Sequence, residues 1–335
     1  MTAVSLIFTV LNEAQTIPAL LDSIAAQTRK PDEVIVCDGG SRDATVQLLR
    51  AERRFPLLVI EAPGANIARG RNLAIEAARH PVVACTDAGV RLHPRWLEHI
   101  TAPFEHPRPP HAVAGFFVSD PCTPFEVAMG ATVLPMADEI HVARFMPSSR
   151  SVAFQREAWQ AVGGYPEWLD YCEDVVFDIA LRARFGEFVF APEAIVYFRP
   201  RSSLGAFFRQ YYLYARGDGK ANLFFWRHVV RYSTYLLLLP ALLSGAASGN
   251  PALQLLSLVL LVMGSAAYTH SPYRRLQRQW HNLQYSERIQ AALLVPLIRL
   301  VGDIAKMAGY PAGVAWRLQH NLAKSGRCID AKTER

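Results

Sequence analysis

The sequence predicts an α/β protein: a Rossmann-like, mostly parallel sheet flanked by helices, followed by a C-terminal hydrophobic helical region. Three observations carry this. Short β-rich apolar runs alternate with helical stretches over the first ninety or so residues, the pattern of a parallel sheet with crossover helices. Three of the runs lead directly into a polar side chain: Asn12, Asp38 and Asp87. Long apolar stretches appear only after about residue 232.

The first run, Val4 to Val10, reads as a buried strand that Asn12-Glu13 ends. Ile17, Leu20, Leu21 and Ile24 then fall on one helical face. Glu33 to Asp38 is a second strand, Leu57 to Ile60 a third, and Val82 to Asp87 a fourth. Helices are expected from Thr45, over Asn66 to Ala78 and over Trp96 to Ile100. Later strands are expected at Ala112 to Val118, Glu187 to Phe190 and Ala194 to Phe198. Residues 121–150 read as helices and loops over the site, and Glu173-Asp174 opens an amphipathic helix. Open parallel sheets bind ligands at the carboxyl ends of their strands, which puts Asn12, Asp38 and Asp87 in a common site. The alternative for each is an ordinary helix N-cap.

The chain of 335 residues carries a formal charge of +6. No zinc-finger spacing, RNP-like aromatic strand or Lys/Arg run accompanies that charge, so nucleic acid is excluded as the expected partner. Basic residues instead flank the apolar tail: Arg227, His228 and Arg231 before it, Arg274, Arg275 and Arg278 after it. The five cysteines form no CxxC, which argues against a zinc site or disulfide framework and for a reducing compartment. No secretory signal is read at the N-terminus.

Two apolar stretches, about 232–247 and 252–268, are separated by the turn signal Ser248-Gly249-Asn250-Pro251. Each approaches the minimum length of about 17 residues for a membrane span. Positive flanks and an uncharged connection predict a hairpin with both ends, and the catalytic domain, on the cytoplasmic side, as at a bacterial inner membrane. The alternative is a hydrophobic helical hairpin packed on protein. Residues 291–316 carry Arg299, Asp303 and Lys306 and suit an interfacial amphipathic helix. The expected organisation is a catalytic domain over 1–225, a membrane-associated helical region over 226–320 and a polar tail over 321–335.

Three constellations can carry chemistry. Asp38-Gly39-Gly40-Ser41 leaves a carboxylate at a strand end, able to accept from the N–H edge of a nucleotide base; Asp-Gly-Gly is also an ordinary turn. Asp87 could help hold a hard divalent ion bridging a diphosphate. Glu173-Asp174 could supply the base that removes an acceptor's proton, or could simply favour the helix N-terminus.

Together these segments resemble glycosyltransferase family 2, inverting enzymes of the GT-A fold. Thr9-Val10-Leu11-Asn12-Glu13 matches the first-strand motif, Leu21 to Thr28 the helix after it, and Glu33 to Thr45 the second strand and its loop. Arg69-Gly70-Arg71-Asn72 matches a helix start, and Asp87-Ala88-Gly89 stands where the family has Asp-x-Asp. Gly163-Gly164-Tyr165-Pro166 and Glu173-Asp174 match the acceptor-side motif, and the resemblance covers roughly residues 3–220. Two departures stand out: Thr9 replaces the usual proline, and Gly89 replaces the second metal-binding carboxylate.

The resemblance implies a nucleotide-sugar donor, linked to UDP, GDP or dTDP, around Thr9, Asn12, Glu13, Asp38 and Arg71. It implies Mg²⁺ or Mn²⁺ at Asp87, Asp174 as general base with Glu173 beside it, and Arg209 and Arg216 on the donor phosphates, the alternative for these two arginines being an interfacial aromatic-basic belt. The processive synthases' Gln-x-x-Arg-Trp is matched only at Gln210, so transfer of a single sugar is expected. The expected acceptor is a hydroxyl of a lipid-linked or cell-surface glycan. Alternatives are a polyprenyl-phosphate sugar transferase and a catalytically silent GT-A membrane scaffold.

Overall fold

The computed structural model describes residues 2–320; the polar tail expected over 321–335, with Cys328, lies outside the described residues. The elements in order are β1 (Val4–Val10), α1 (Ile17–Ala25), β2 (Glu33–Asp38), α2 (Thr45–Ala51), β3 (Leu57–Glu61), α3 (Ile67–Ala77), β4 (Val82–Cys85), β5 (Val90–Leu92), α4 (Trp96–Thr101), β6 (Ala112–Ser119) and α5 (Pro124–Val133). They continue with β7 (Val152–Gln155), α6 (Arg156–Ala161), α7 (Glu173–Phe185), β8 (Val189–Phe198), α8 (Leu204–Ala221), α9 (Phe225–Ser233), α10 (Leu239–Ala246), α11 (Pro251–Gln279) and α12 (Tyr285–Gln319).

The chain divides into two compact units. One comprises 1–120 and 135–199; the other comprises 121–134 and 200–335. The division falls at Arg199/Pro200 rather than at residue 225, so α8 belongs with the C-terminal helices, as does α5.

The first unit is built on one eight-stranded mixed sheet, ordered β3-β2-β1-β4-β7-β6-β8-β5. The pairs β1–β2, β1–β4, β2–β3 and β6–β8 are parallel; β4–β7, β6–β7 and β5–β8 are antiparallel. Strand alternation sends β1 residues to opposite faces. Leu6 and Phe8 pack with Ile17, Leu20, Ile24, Trp96 and Ile100, whereas Ile7 packs with Ile35, Ile75, Val83, Phe154 and Phe177. The register sets Val10 opposite Asp38 and Ile7 opposite Cys85, so β2, β1 and β4 deliver their polar ends side by side.

Three features differ from the sequence reading. Strands β5 and β7 have three and four residues, too short to show a period. The two runs expected at 187–190 and 194–198 are one strand, β8. Its pairing with β6 jumps from Ala114↔Phe190 to Phe116↔Ile195, so the stretch around Pro192 is taken up as a bulge.

In the second unit, α12 runs for 35 residues. Its Ala291, Val295 and Ile298 join Val127 and Met129 of α5 and Phe207 of α8 in one apolar cluster. Farther along, α8 and α12 approach so closely that a Cβ at Gly309 would overlap the Tyr212 carbonyl, and one at Gly313 the Arg216 carbonyl. The segment expected as an interfacial helix is thus packed on α8 along one face. Its other face is apolar and exposed at Leu293, Leu297, Leu300 and Ile304. Asp303 accepts from Arg231 Nε (2.8 Å), Tyr235 OH (3.1 Å) and Tyr268 OH (2.6 Å), which ties α9, the π-helical turn after it and α11 to α12.

Two helical stretches, Phe225–Ala246 and Pro251–Gln279, are long and apolar enough to cross a membrane, and only 6% of the apolar window of each is buried. They meet at the turn expected, where the Asn250 side chain caps α11 by accepting from Ala252 N and Leu253 N. Gly309→Ala is expected to lower the stability of the second unit by about 1–3 kcal/mol, the range for overpacking a tight contact. Thermal unfolding in detergent, followed by far-UV circular dichroism, measures it; an unchanged midpoint would refute the close crossing.

Candidate active site

The carboxyl end of the sheet is organised by two loops and one buried arginine. Asn12 follows β1 in a left-handed conformation (φ 57°). Its backbone N–H donates to Ser41 Oγ at 2.8 Å, and its Oδ1 accepts from Arg42 N at 2.8 Å. The next two amides continue the seam: Glu13 N donates to Thr45 Oγ1 (2.8 Å) and Ala14 N to Asp43 Oδ2 (3.1 Å). The loop after β1 is thereby stitched to the loop after β2. Thr9, in β1, presses its methyl against the spot where a side chain on Gly70 would begin, so α3 lies tight on the strand.

Asp38 is buried at the end of β2. Its Oδ2 accepts from Gly40 N and Ser41 N, both at 2.9 Å, while its Oδ1 is buried without a hydrogen-bond partner. Such an acceptor costs about 1–3 kcal/mol unless a ligand or water donates to it.

Arg71 on α3 is 2% exposed. Its Nη2 donates to Asp87 Oδ1 at 2.7 Å and its Nη1 to Glu173 Oε1 at 2.6 Å. The guanidinium also lies 5.3 Å from the Tyr165 ring centre. Burial opposes its charge, but Asp87 and Glu173 outweigh burial and hold the Arg71 pKa well above its usual value. Sequence reasoning assigned Arg71 to the nucleotide; here both terminal nitrogens are given to carboxylates.

Glu173 begins α7, which Cys172 enters through a left-handed turn (φ 64°). Burial, with the neighbouring Asp174 charge, pushes the Glu173 carboxyl up to about 7 against the pull of Arg71. Asp174 is half-buried, and its Oδ1 accepts from Val175 N at 2.9 Å. One turn on, Asp178 is buried, and burial and then the Asp174 charge raise its pKa well above the usual value. The Cys85 thiol is pushed up to about 12 by burial, which leaves no thiolate nucleophile there.

Arg150, Asn72 and Tyr165 enter the site without having been singled out individually from the sequence. Arg150 Nε lies 3.4 Å from Asp87 Oδ2. Asn72 fastens the Gly163–Glu167 loop to α3: its Nδ2 donates to Tyr165 O (2.9 Å) and Glu167 Oε1 (3.0 Å), and its Oδ1 accepts from Tyr165 N (2.9 Å) and Trp159 Nε1 (3.1 Å). Asn72 stood within the matched Arg69–Asn72 stretch, and Tyr165 within the matched Gly163–Pro166 stretch. Arg150 lay in a segment read only as helix and loop. Arg209 and Arg216 fall on α8, in the second unit.

A divalent ion needs several converging oxygen donors. Asp87 already accepts from Arg71 and faces Arg150, and Gly89 supplies no carboxylate. The carboxylate nearest Gly89 is that of Glu13, whose Oε2 would lie 3.6 Å from a Cβ there and accepts from Thr16 Oγ1. Among the described residues no three His, Cys, Asp or Glu side chains gather as an ion would require. The side chains at Asp87 therefore do not fit a resident ion.

Two outcomes test this geometry. Arg71→Met strands two carboxylates and is expected to cost about 3–5 kcal/mol, measured by chemical denaturation. A carboxyl with a raised folded-state pKa stabilises the fold at low pH and loses that contribution as pH rises, here from the usual carboxylate range to about 7. Wild type should therefore lose more thermal stability than Glu173→Gln between about pH 4 and about pH 8, which lie on either side of that window. Parallel losses would mean Glu173 stays ionised throughout.

Comparison with known proteins agrees with this architecture. Residues 5–145 match the family described as glycosyl transferase family 2. The chain is 24% identical to the O-antigen chain rhamnosyltransferase RfbN of Salmonella typhimurium over 58% of this chain and 65% of that protein. It is 29% identical to the validoxylamine A glucosyltransferase of Streptomyces hygroscopicus subsp. limoneus, over 33% of this chain and 26% of that protein. The chain thus spans about a quarter to two thirds of the length of these relatives. Among solved structures it superposes on the mannosyltransferase PcManGT of Pyrobaculum calidifontis, in complex with GDP-Man and Mn²⁺, with a TM-score of 0.54 at 17% identity over 95% of this chain and 88% of that one. Residues 5–145 thus carry the match to glycosyl transferase family 2, and the superposition shows a fold of GT-A type.

Proposed function

We propose that the protein transfers a single sugar from a nucleotide-sugar donor to a hydroxyl acceptor, with inversion at the anomeric carbon. The observation that carries this reading is the buried Arg71 bridge, which holds Asp87 of the sheet end and Glu173 of the α7 start in one place. The named activities of the relatives, glucosyl and rhamnosyl transfer, and the GDP-Man bound by the structural neighbour support the donor class.

Each residue has a chemical task. The unpartnered Asp38 Oδ1 is an acceptor suited to the N–H of a nucleotide base. The Asn12–Glu13 loop, held by Ser41, Arg42 and Thr45, borders the same end of the sheet. Asp174 takes the acceptor proton as the hydroxyl attacks. Glu173, tied to Arg71, positions Asp174 at the start of α7. Donor, acceptor and base then react with little reorganisation.

The apolar pair Phe225–Ala246 and Pro251–Gln279 anchors the enzyme as a membrane hairpin, with the catalytic unit on the cytoplasmic side and a lipid-linked or surface glycan as acceptor. The test is a panel of UDP-, GDP- and dTDP-sugars with membrane glycan acceptors. Asp174→Asn should bind nucleotide as wild type does and lose about 10²–10⁴-fold in transfer rate. Full transfer by that variant would remove Asp174 from the base role. Full transfer to polyprenyl phosphate alone would point to an acceptor that arrives already ionised.

A further inference from the structure

We propose that the donor diphosphate is bound here without a resident divalent ion, the Arg150 guanidinium facing the phosphate oxygens instead. This rests on the nucleotide-sugar reading above. Four observations lead to it.

The first is the donor set. Asp87 is the carboxylate at the strand end, and both of its oxygens face guanidinium groups, Arg71 at 2.7 Å and Arg150 at 3.4 Å. The second is Gly89. Its φ of 73° lies where a side chain is strained, so the backbone itself disfavours a carboxylate at that position. The third is charge. A dication added beside Asp87 would meet the two guanidinium groups that this carboxylate already faces.

The fourth is how Arg150 is held. Its carbonyl accepts from Thr86 Oγ1 at 2.9 Å, which fixes its backbone to the strand end that carries Asp87. Its guanidinium lies 5.6 Å from the Phe117 ring centre and 4.7 Å from that of Phe198. The side chain remains 21% exposed. It is a placed cation whose side chain is partly exposed, and a guanidinium can take two phosphate oxygens at once. Asp87 then acts as a positioning residue, orienting Arg150 through its second oxygen.

The reaction balances without a further reagent. The bond between the anomeric carbon and the phosphate oxygen breaks, its electron pair going to the departing nucleoside diphosphate. The acceptor oxygen bonds to the anomeric carbon, and its proton passes to Asp174. Arg150 faces the charge that builds on the phosphate.

The experiment is calorimetric binding of UDP, GDP and dTDP to the full chain in detergent, in EDTA and in Mn²⁺, with Mn²⁺ binding followed separately by electron paramagnetic resonance. The nucleotide that binds should do so equally in EDTA and Mn²⁺, within about threefold. Arg150→Ala should weaken it about ten- to a hundredfold in both, the loss expected for a charge-assisted contact. Arg150→Lys should restore only part, since an ammonium lacks the paired donors. Bound Mn²⁺ should be no greater in wild type than in Asp87→Asn. Nucleotide binding abolished by EDTA and restored by Mn²⁺ would overturn the proposal while leaving the donor reading intact. Absence of nucleotide binding under every condition would overturn the donor reading and this proposal with it.

Discussion

The sheet end of this protein depends on one buried cation. Arg71 cannot be neutralised at any ordinary pH, and the desolvation of a guanidinium is tolerable only beside opposite charge. Asp87 and Glu173 supply that charge from elements far apart in the chain, the end of β4 and the start of α7. Removing Arg71 would leave two carboxylates without a cation, and removing either carboxylate would leave one guanidinium nitrogen without its acceptor. The triad is therefore a constraint on geometry before it is anything else. It holds α7 against the sheet, and with α7 the carboxylate of Asp174.

The region around the triad is built from hydrogen bonds that close on themselves. Asn12, Glu13 and Ala14 give their amides to the loop after β2, and Asn72 uses both ends of its amide on the Gly163–Glu167 loop. What this network leaves over is informative. Asp38 retains one acceptor with no donor. The N–H edge of a base is the kind of group that would complete it. The polar cluster around Asp303 in the helical unit is different in character, because each of its three contacts is made to a neighbouring helix or turn of the same unit.

Much of the first unit was legible because its early strands are buried on both faces and end abruptly on polar residues. Such runs announce both an element and its terminus. The second half of the sheet was harder for a physical reason. A three-residue β5 has no period, β7 is an antiparallel insertion between two distant strands, and the bulge at Pro192 breaks the pattern of β8. The same contrast holds for the site. Asp38, Asp87 and Glu173-Asp174 sit at element ends, where sequence pattern speaks directly. The partners of Arg71 could not be read, since ion pairs between residues 16 and 102 positions apart leave no local trace. Arg150 was missed for the same reason. Its importance comes from Phe117, Phe198 and Asp87, none adjacent to it in the chain.

The placement of α5 bears on how the chain is made. Residues 121–134 leave the first unit, join the C-terminal helices, and the chain then returns to finish the sheet. Val127 and Met129 on α5 find their apolar neighbours on α8, α11 and α12, elements that begin seventy or more residues later. During synthesis α5 emerges well before anything exists to cover it. The order of translation is thus opposite to the order of burial, and an apolar segment must wait, exposed, for α8, α11 and α12.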